Sequence, residues 1–232
     1  MSGPVAMGSA RNERGLIGVC VALAALIAIA GSYAADGAIW LHYIFKPLAT
    51  LLILLSVWRT ATPVGQRYRV MVMAGIVLSA CGDVFLMLPP AVFAAGFIAG
   101  LGSFLVAHLL FLRALTSDAP LFGKPWAPLF YLVIGLTNLV VLWSGVPAQL
   151  HVPVPLYLLC LSAMAAQAAS RWLTLNSRAS GLAALGGALF FLSDTLIAYD
   201  RFNHPLAGAS VWILGSYYSA LWLIAGSVSD SE

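Results

Sequence analysis

The sequence predicts an all-α polytopic membrane protein with eight transmembrane helices, divisible into two parallel repeats of four. Three observations predict it. Of its 232 residues 62% are hydrophobic and 8% charged, with a mean hydropathy of +0.97, whereas soluble domains carry about 25% charged residues. The apolar residues gather into eight runs, each close to the ~20 residues that a helix needs to cross a hydrocarbon core of ~30 Å. The breaks between runs are short and rich in Pro, Gly and Asn. A chain of this length offers one integral membrane domain, 1–232, with no separate soluble module. The formal net charge of +3 is too small to point to nucleic acid. Cys20, Cys81 and Cys160 are odd in number, far apart and each within an apolar run, which fits neither a disulfide framework nor a metal knuckle.

The expected spans are 15–34, 38–58, 70–88, 91–115, 126–143, 153–173, 179–199 and 206–228. The first follows Arg11 and Arg14 and resembles a cleavable signal sequence, but it is long for one and is read as retained. The second contains Lys46-Pro47. Thr62-Pro63-Val64-Gly65 separates it from the third, and Pro89-Pro90 separates the third from the fourth. Phe122-Gly123-Lys124-Pro125 precedes the fifth, Pro153 opens the sixth, and Asn203-His204-Pro205 divides the last two. Trp40, Trp58, Trp126, Trp143, Trp172 and Trp212 fall near span ends, where an aromatic belt belongs. Arg11, Arg14, Arg59, Arg67, Arg69, Arg113, Lys124, Arg171 and Arg178 fall at one side, and Arg201 at the other. The excess of basic residues on cytoplasmic loops then predicts both termini in the cytoplasm. The short loops suit a bacterial cytoplasmic (inner) membrane.

Two aspartates lie inside spans, Asp83 in the third and Asp194 in the seventh. A carboxylate in hydrocarbon costs several kcal/mol unless compensated, so each marks a functional site. With these limits both fall about five residues from the outer end of their spans, roughly 8 Å at 1.5 Å per residue. A weak repeat pairs them. Leu101-Gly102-Ser103-Phe104 follows Asp83 much as Leu214-Gly215-Ser216-Tyr217 follows Asp194, as expected of repeats related by an axis along the membrane normal.

Other polar groups in the spans are weighed in the same way. Lys46 shares a helix face with His42 and Thr50, where it would neutralise an aspartate, bind a lipid phosphate, or snorkel to the interface. His108 is expected deeper, toward the inner end of the fourth span, as a second proton carrier or a packing histidine. Gln167 and Asn138 read as interhelical glue, and Tyr217 and Tyr218 are candidates for it. Gly96 with Gly100, and Gly75 with Ser79 and Gly82, read as close-packing faces. The histidines His42, His108, His151 and His204 are too scattered for a zinc site, and nucleotide and hydrolase fingerprints are absent. Neither metal nor cofactor is expected, and no protein partner is required.

Lys46-Pro47, Gly82-Asp83, the run from Gly96 through Ser103-Phe104 to His108, Ser193-Asp194, Arg201-Phe202 and Tyr217 together resemble the YhhN-type lysoplasmalogenase family. The resemblance covers nearly the whole chain. It implies a multi-pass enzyme that hydrolyses the vinyl ether bond of lysoplasmalogens, releasing a fatty aldehyde and a glycerophospho-amine. It also implies Asp83 and Asp194 as catalytic acids, Lys46, His108, Arg201 and Tyr217 as site residues, and a lysophospholipid within the bilayer as substrate.

The chemistry agrees with the residues. Protonating the alkene carbon of a vinyl ether makes an oxocarbenium ion that water captures. That asks for one carboxyl holding a proton and one ionised, as in glycoside hydrolysis. Lys46 would serve to hold one charged. Residue patterns alone leave open which aspartate does which.

Two other functions use the same aspartates. A proton-coupled transporter would employ them as a relay while its repeats rock. An intramembrane aspartyl protease would need Tyr-Asp before Gly-x-Gly-Asp. Here Tyr199-Asp200 comes last and Ala80-Cys81-Gly82-Asp83 lacks the first glycine.

Overall fold

The computed structural model describes residues 4–34, 37–60 and 64–229. It contains eight α-helices: α1 (Pro4–Ser32), α2 (Ile39–Trp58), α3 (Gln66–Met87), α4 (Gly96–Leu115), α5 (Trp126–Leu142), α6 (Pro153–Leu175), α7 (Arg178–Phe202) and α8 (Ala209–Gly226). Each includes a stretch long and apolar enough to cross a membrane, that of α5 running on to Gly145. Large apolar side chains such as Leu16, Leu26, Trp126, Leu129, Val140 and Leu185 are exposed on the outer surface. That is the distribution of a helix bundle solvated by lipid rather than by water.

The element ends differ from the sequence expectation where polar residues and turn chemistry outweigh hydropathy. Helix α3 starts at Gln66 rather than near residue 70, because Arg67, Tyr68 and Arg69 continue the helix. Tyr68 turns inward and is buried, while Arg69 donates to the Trp58 carbonyl. Helix α4 starts at Gly96 rather than near residue 91. Pro89-Pro90 make a tight turn instead, with the Val92 and Phe93 amides both donating to the Pro89 carbonyl. At the opposite corner α7 runs on to Phe202, and Asp200 Oδ1 accepts the Leu206 amide at 2.8 Å. Gly208 adopts φ 69° just before α8, a left-handed turn that glycine takes at little cost. The capping box of Ser177 and Ser180 starts α7.

Packing orders the helices as a ring, α2–α3–α4–α6–α7–α8, closed where α8 meets α2. Helix α1 lies outside against α2 and α8, and α5 lies outside against α6 and α7. The two halves therefore repeat: α2–α3–α4 and α6–α7–α8 are equivalent arcs, and each has its extra helix on the outer face. Small residues carry the same contact in both arcs. At Gly75 of α3 a side-chain carbon would collide with Phe111 of α4, and at Gly186 of α7 with Ile224 of α8. Gly75 and Gly186 stand at the same spacing as Asp83 and Asp194, and Phe111 and Ile224 keep the spacing of the two Leu-Gly-Ser motifs.

The end of the bundle that bears the termini is tied by polar contacts. Arg171 of α6 reaches Asp118 with two hydrogen bonds, of 2.8 and 2.6 Å, and covers the Tyr68 ring. Tyr68 OH and Ser227 Oγ lie 2.7 Å apart, joining α3 to the end of α8. Gln167 accepts the Phe122 amide and donates to the Leu115 and Pro120 carbonyls, which fixes the connection from α4 to α5. At the opposite end, Asn138 of α5 accepts from Tyr199 of α7 at 3.0 Å.

The close α3–α4 contact makes a direct prediction. Gly75→Ala should overpack against Phe111, costing about 1–3 kcal/mol, and lower the thermal unfolding midpoint of the purified protein. Adding Phe111→Leu should recover most of the loss. An unchanged midpoint in the single variant would contradict the packing.

Candidate active site

Asp83 lies four residues before the end of α3 and is 2% exposed. Its side chain faces the middle of the ring, where donors from two other helices meet it. Oδ2 accepts Thr50 Oγ1 of α2 at 3.0 Å and Tyr217 OH of α8 at 2.7 Å. Oδ1 lies 3.4 Å from Lys46 Nζ. Lys46 and Thr50 are one turn apart, so a single face of α2 presents both. Lys46 is 8% exposed and buried with its partner. Tyr218 OH donates to the Lys46 carbonyl at 3.0 Å, next to Pro47, and pins this part of α2 to α8. His42, on the same face, is engaged elsewhere, with Nδ1 2.9 Å from the Ala28 carbonyl of α1.

Asp194 of α7 has a different shell. Oδ2 accepts Tyr157 OH of α6 at 2.5 Å, and His108 Nε2 of α4 lies 3.6 Å from the same oxygen. His108 is fully buried, and neither ring nitrogen has a hydrogen-bond partner. Its ring meets Phe190 edge-on with centroids 4.7 Å apart, and Tyr157 at 5.3 Å. An unpartnered buried imidazole is costly, and its position beside a carboxylate marks the centre of a site rather than of a packing core. His108 lies in the second half of α4, nearer its inner end as expected, and its side chain reaches Asp194 from there.

The two shells are one site. Phe190 stands edge-on to Tyr217 at 5.6 Å, and Phe104 touches both, at 5.9 Å from Tyr217 and 6.2 Å from Phe190. This aromatic wall runs from the Asp83 shell, through Tyr217 and Phe190, to His108 in the Asp194 shell. The repeat extends to the donors. Each aspartate receives a hydroxyl from the preceding ring helix of its own repeat, Thr50 or Tyr157. Each is also met by the last helix of the other repeat, through Tyr217 or His108.

Arg201 is not part of this buried group. It lies two turns beyond Asp194 on the same face of α7, roughly 10 Å away along the axis. Its guanidinium sits 3.7 Å over the Phe97 ring and lines an open cleft of about 580 Å³, together with Pro147, Gln149, Asp200 and Phe202. Tyr157 is the site residue that the sequence reading missed. The signal for it was the repeat itself, which, carried back one helix from Asp194, leads to α6 as it leads from Asp83 to Thr50 in α2.

The match of the YhhN family model to residues 41–228 decides the family. The chain belongs to the YhhN family. It is 32% identical to the lysoplasmalogenase TMEM86B of Sus scrofa over 197 residues, covering 83% of this chain and 77% of the relative. It is 34% identical to a lysoplasmalogenase of Mycobacterium tuberculosis over 191 residues, 79% of this chain and 70% of the relative. The membrane protein YhhN of Escherichia coli O157:H7 is 25% identical over 210 residues, covering 90% and 97%. No solved structure matches. The chain is an integral, multi-pass membrane protein.

The buried ion pair predicts non-additive stability. Lys46→Met leaves the Asp83 charge unpaired in an apolar interior, at a cost of about 3–5 kcal/mol. Adding Asp83→Asn should return part of that stability, because no charge then remains without a partner. Thermal unfolding of the two single variants and the double variant measures the coupling, and simple addition of the losses would contradict a direct pair.

Proposed function

We propose that this protein hydrolyses the vinyl ether bond of lysoplasmalogens, with Asp83 and Asp194 as its acid–base pair. The observation that carries the reading is the joining of two buried carboxylates in one aromatic-walled site, in a chain 32–34% identical to proteins named lysoplasmalogenase. Vinyl ether hydrolysis needs a general acid for carbon and a base for water, and no oxidant. It also needs shielding of the cationic intermediate, which the Phe104, Phe190 and Tyr217 rings supply at their faces.

The geometry also accommodates the substrate's shape. The reactive bond of a lysoplasmalogen lies one glycerol away from its phosphate, a separation on the order of the two helical turns between Asp194 and Arg201. Arg201, with no carboxylate partner among the described residues, would take the phosphate in the open cleft. Lys46 would not, since it is committed to Asp83. The alkenyl chain would leave the site between helices into the bilayer, so that only the headgroup end is bound by polar groups.

Aldehyde release by the purified protein in detergent, from a lysoplasmalogen and from its acyl counterpart, tests the reading. Wild type should release aldehyde from the first only, with no need for a sealed vesicle, which a proton-coupled transporter would require. Asp83→Asn and Asp194→Asn should each fold and lose about 10²- to 10⁴-fold in turnover. Near-normal turnover in either variant would sink the paired mechanism.

The cleft is tested in the same assay. Arg201→Ala should raise KM for lysoplasmalogen about tenfold, the loss of a charge-assisted contact, with kcat held. It should leave unchanged the hydrolysis of an alkenyl glycerol that lacks the phosphate. Equal losses on both substrates would remove Arg201 from phosphate binding.

A further inference from the structure

The two halves of the site are equivalent in position but not in chemistry, and the difference assigns their roles. We propose that Asp194 carries the proton that is delivered to the alkene carbon, that Asp83 stays a carboxylate, and that Tyr157 is a positioning residue deciding which Asp194 oxygen is the acid. This inference rests on the vinyl ether reading above and names the part each residue takes in it.

Every group around Asp83 is a donor. Thr50 and Tyr217 both give hydroxyl protons to Oδ2, and the Lys46 ammonium faces Oδ1. The Tyr218 hydroxyl is turned to the Lys46 carbonyl and offers Asp83 no acceptor. The ionised form uses all three donors, whereas a carboxylic acid proton would face the Lys46 ammonium from Oδ1 or make a hydroxyl turn round to accept it at Oδ2. Two hydroxyl bonds and a buried cation are what holds a carboxylate ionised away from water.

Asp194 has no lysine or arginine within 4 Å among the described residues; the titratable groups that face it are Tyr157 from α6, His108 from α4 and, beyond Phe190 and Tyr217, Asp83. Lacking the ammonium that Asp83 has, Asp194 is the carboxyl of the pair placed to hold the proton. Tyr157 OH donates to Oδ2. In a neutral carboxyl group the carbonyl oxygen is the better acceptor, so Oδ2 is the carbonyl oxygen and the proton sits on Oδ1. Oδ1 makes no hydrogen bond among the described residues, and the Asp194 side chain is 7% exposed against 2% for Asp83. The acid is thus the oxygen left free for substrate.

The cycle balances with these roles. The Asp194 Oδ1 proton adds to the alkene carbon that does not bear oxygen, using the π electrons, and leaves an oxocarbenium ion and an Asp194 carboxylate. Water adds to the oxygen-bearing carbon and gives one proton to Asp83, which forms the hemiacetal. On collapse the hemiacetal hydroxyl returns a proton to Asp194, the carbon–oxygen bond to glycerol breaks, and Asp83 passes its proton to the leaving oxygen. Aldehyde and alcohol depart, one water is consumed, and both aspartates recover their starting states. No oxidant or cofactor enters.

Infrared spectroscopy of the purified full chain at neutral pH tests the assignment without substrate, so it stands or falls separately from the aldehyde assay. Wild type should show the carbonyl stretch of a protonated carboxyl, set apart from the carboxylate and amide bands. Asp194→Asn should abolish it and Asp83→Asn should leave it. The double variant Lys46→Met/Asp83→Asn, with no unpaired charge, serves if the single variant does not fold. Tyr157→Phe should keep the band but move it to higher frequency as the hydrogen bond to Oδ2 is lost. Its kcat should fall roughly tenfold, the scale of one hydrogen bond, with KM shifting less than about twofold. A purely structural tyrosine would leave the band in place. Loss of the band in Asp83→Asn and in the double variant, or its absence from wild type, would overturn the assignment. An unmoved band in Tyr157→Phe would remove that residue from it.

Discussion

The ion pair of Lys46 with Asp83 is the interaction around which the rest of the site is arranged. A lone carboxylate in the interior of a membrane bundle costs too much to persist, and a lone ammonium does too. Together at 3.4 Å, with Thr50 and Tyr217 completing the carboxylate, they form a neutral unit drawn from α2, α3 and α8. These are the helices that close the ring, and the same contacts that satisfy the charge hold the first repeat against the second. Breaking buried pairs of this kind is far more costly than their net contribution to stability would imply. That asymmetry makes the pair a strong constraint on how the helices meet.

Duplicated architecture supplies two carboxylates from equivalent helices, α3 and α7, and divergence of their neighbours gives them different surroundings. In one repeat α2 brings an ammonium and a hydroxyl. In the other, α6 brings the Tyr157 hydroxyl alone, while α4 contributes a buried imidazole without hydrogen bonds. A symmetric pair sharing equal surroundings would compete for one proton. The unequal shells give the two carboxyls different surroundings, the kind of arrangement that acid and base chemistry at one pH calls for. The rings of Phe104, Phe190 and Tyr217 stand between them.

Much of this was legible in the sequence because a membrane leaves few choices. Eight apolar runs had to be eight helices, and aspartates within them had to meet partners. The nearly equal spacings of Asp83 from Asp194 and of one Leu-Gly-Ser motif from the other carried the pseudo-symmetry. Helix ends were less legible where charge and helix coexist, as at Arg67 to Arg69, or where a hydrophobic stretch is interrupted by proline, as at residues 89–95. The approach of His108 to Asp194 was not legible, because position counted along one helix does not say which side chains of its neighbours it meets. Tyr157 was missed for a different reason: the repeat points to α6, but a tyrosine near the start of a span also reads as an interfacial anchor, and the approach of α6 to α7 shows where its hydroxyl goes.

In the mechanism we propose, protonation of carbon by an aspartic acid is the central step, and the product would record it. Hydrolysis of a lysoplasmalogen in D₂O, with the aldehyde reduced to the alcohol as it forms, should place one deuterium on the carbon next to the former carbonyl, in a single configuration set by the fixed position of Asp194. The oxygen of solvent water should appear in the aldehyde and not in the glycerol product. A product without deuterium at that carbon, or one bearing a new oxygen there, would mean that the bond is broken by other chemistry and would contradict the account.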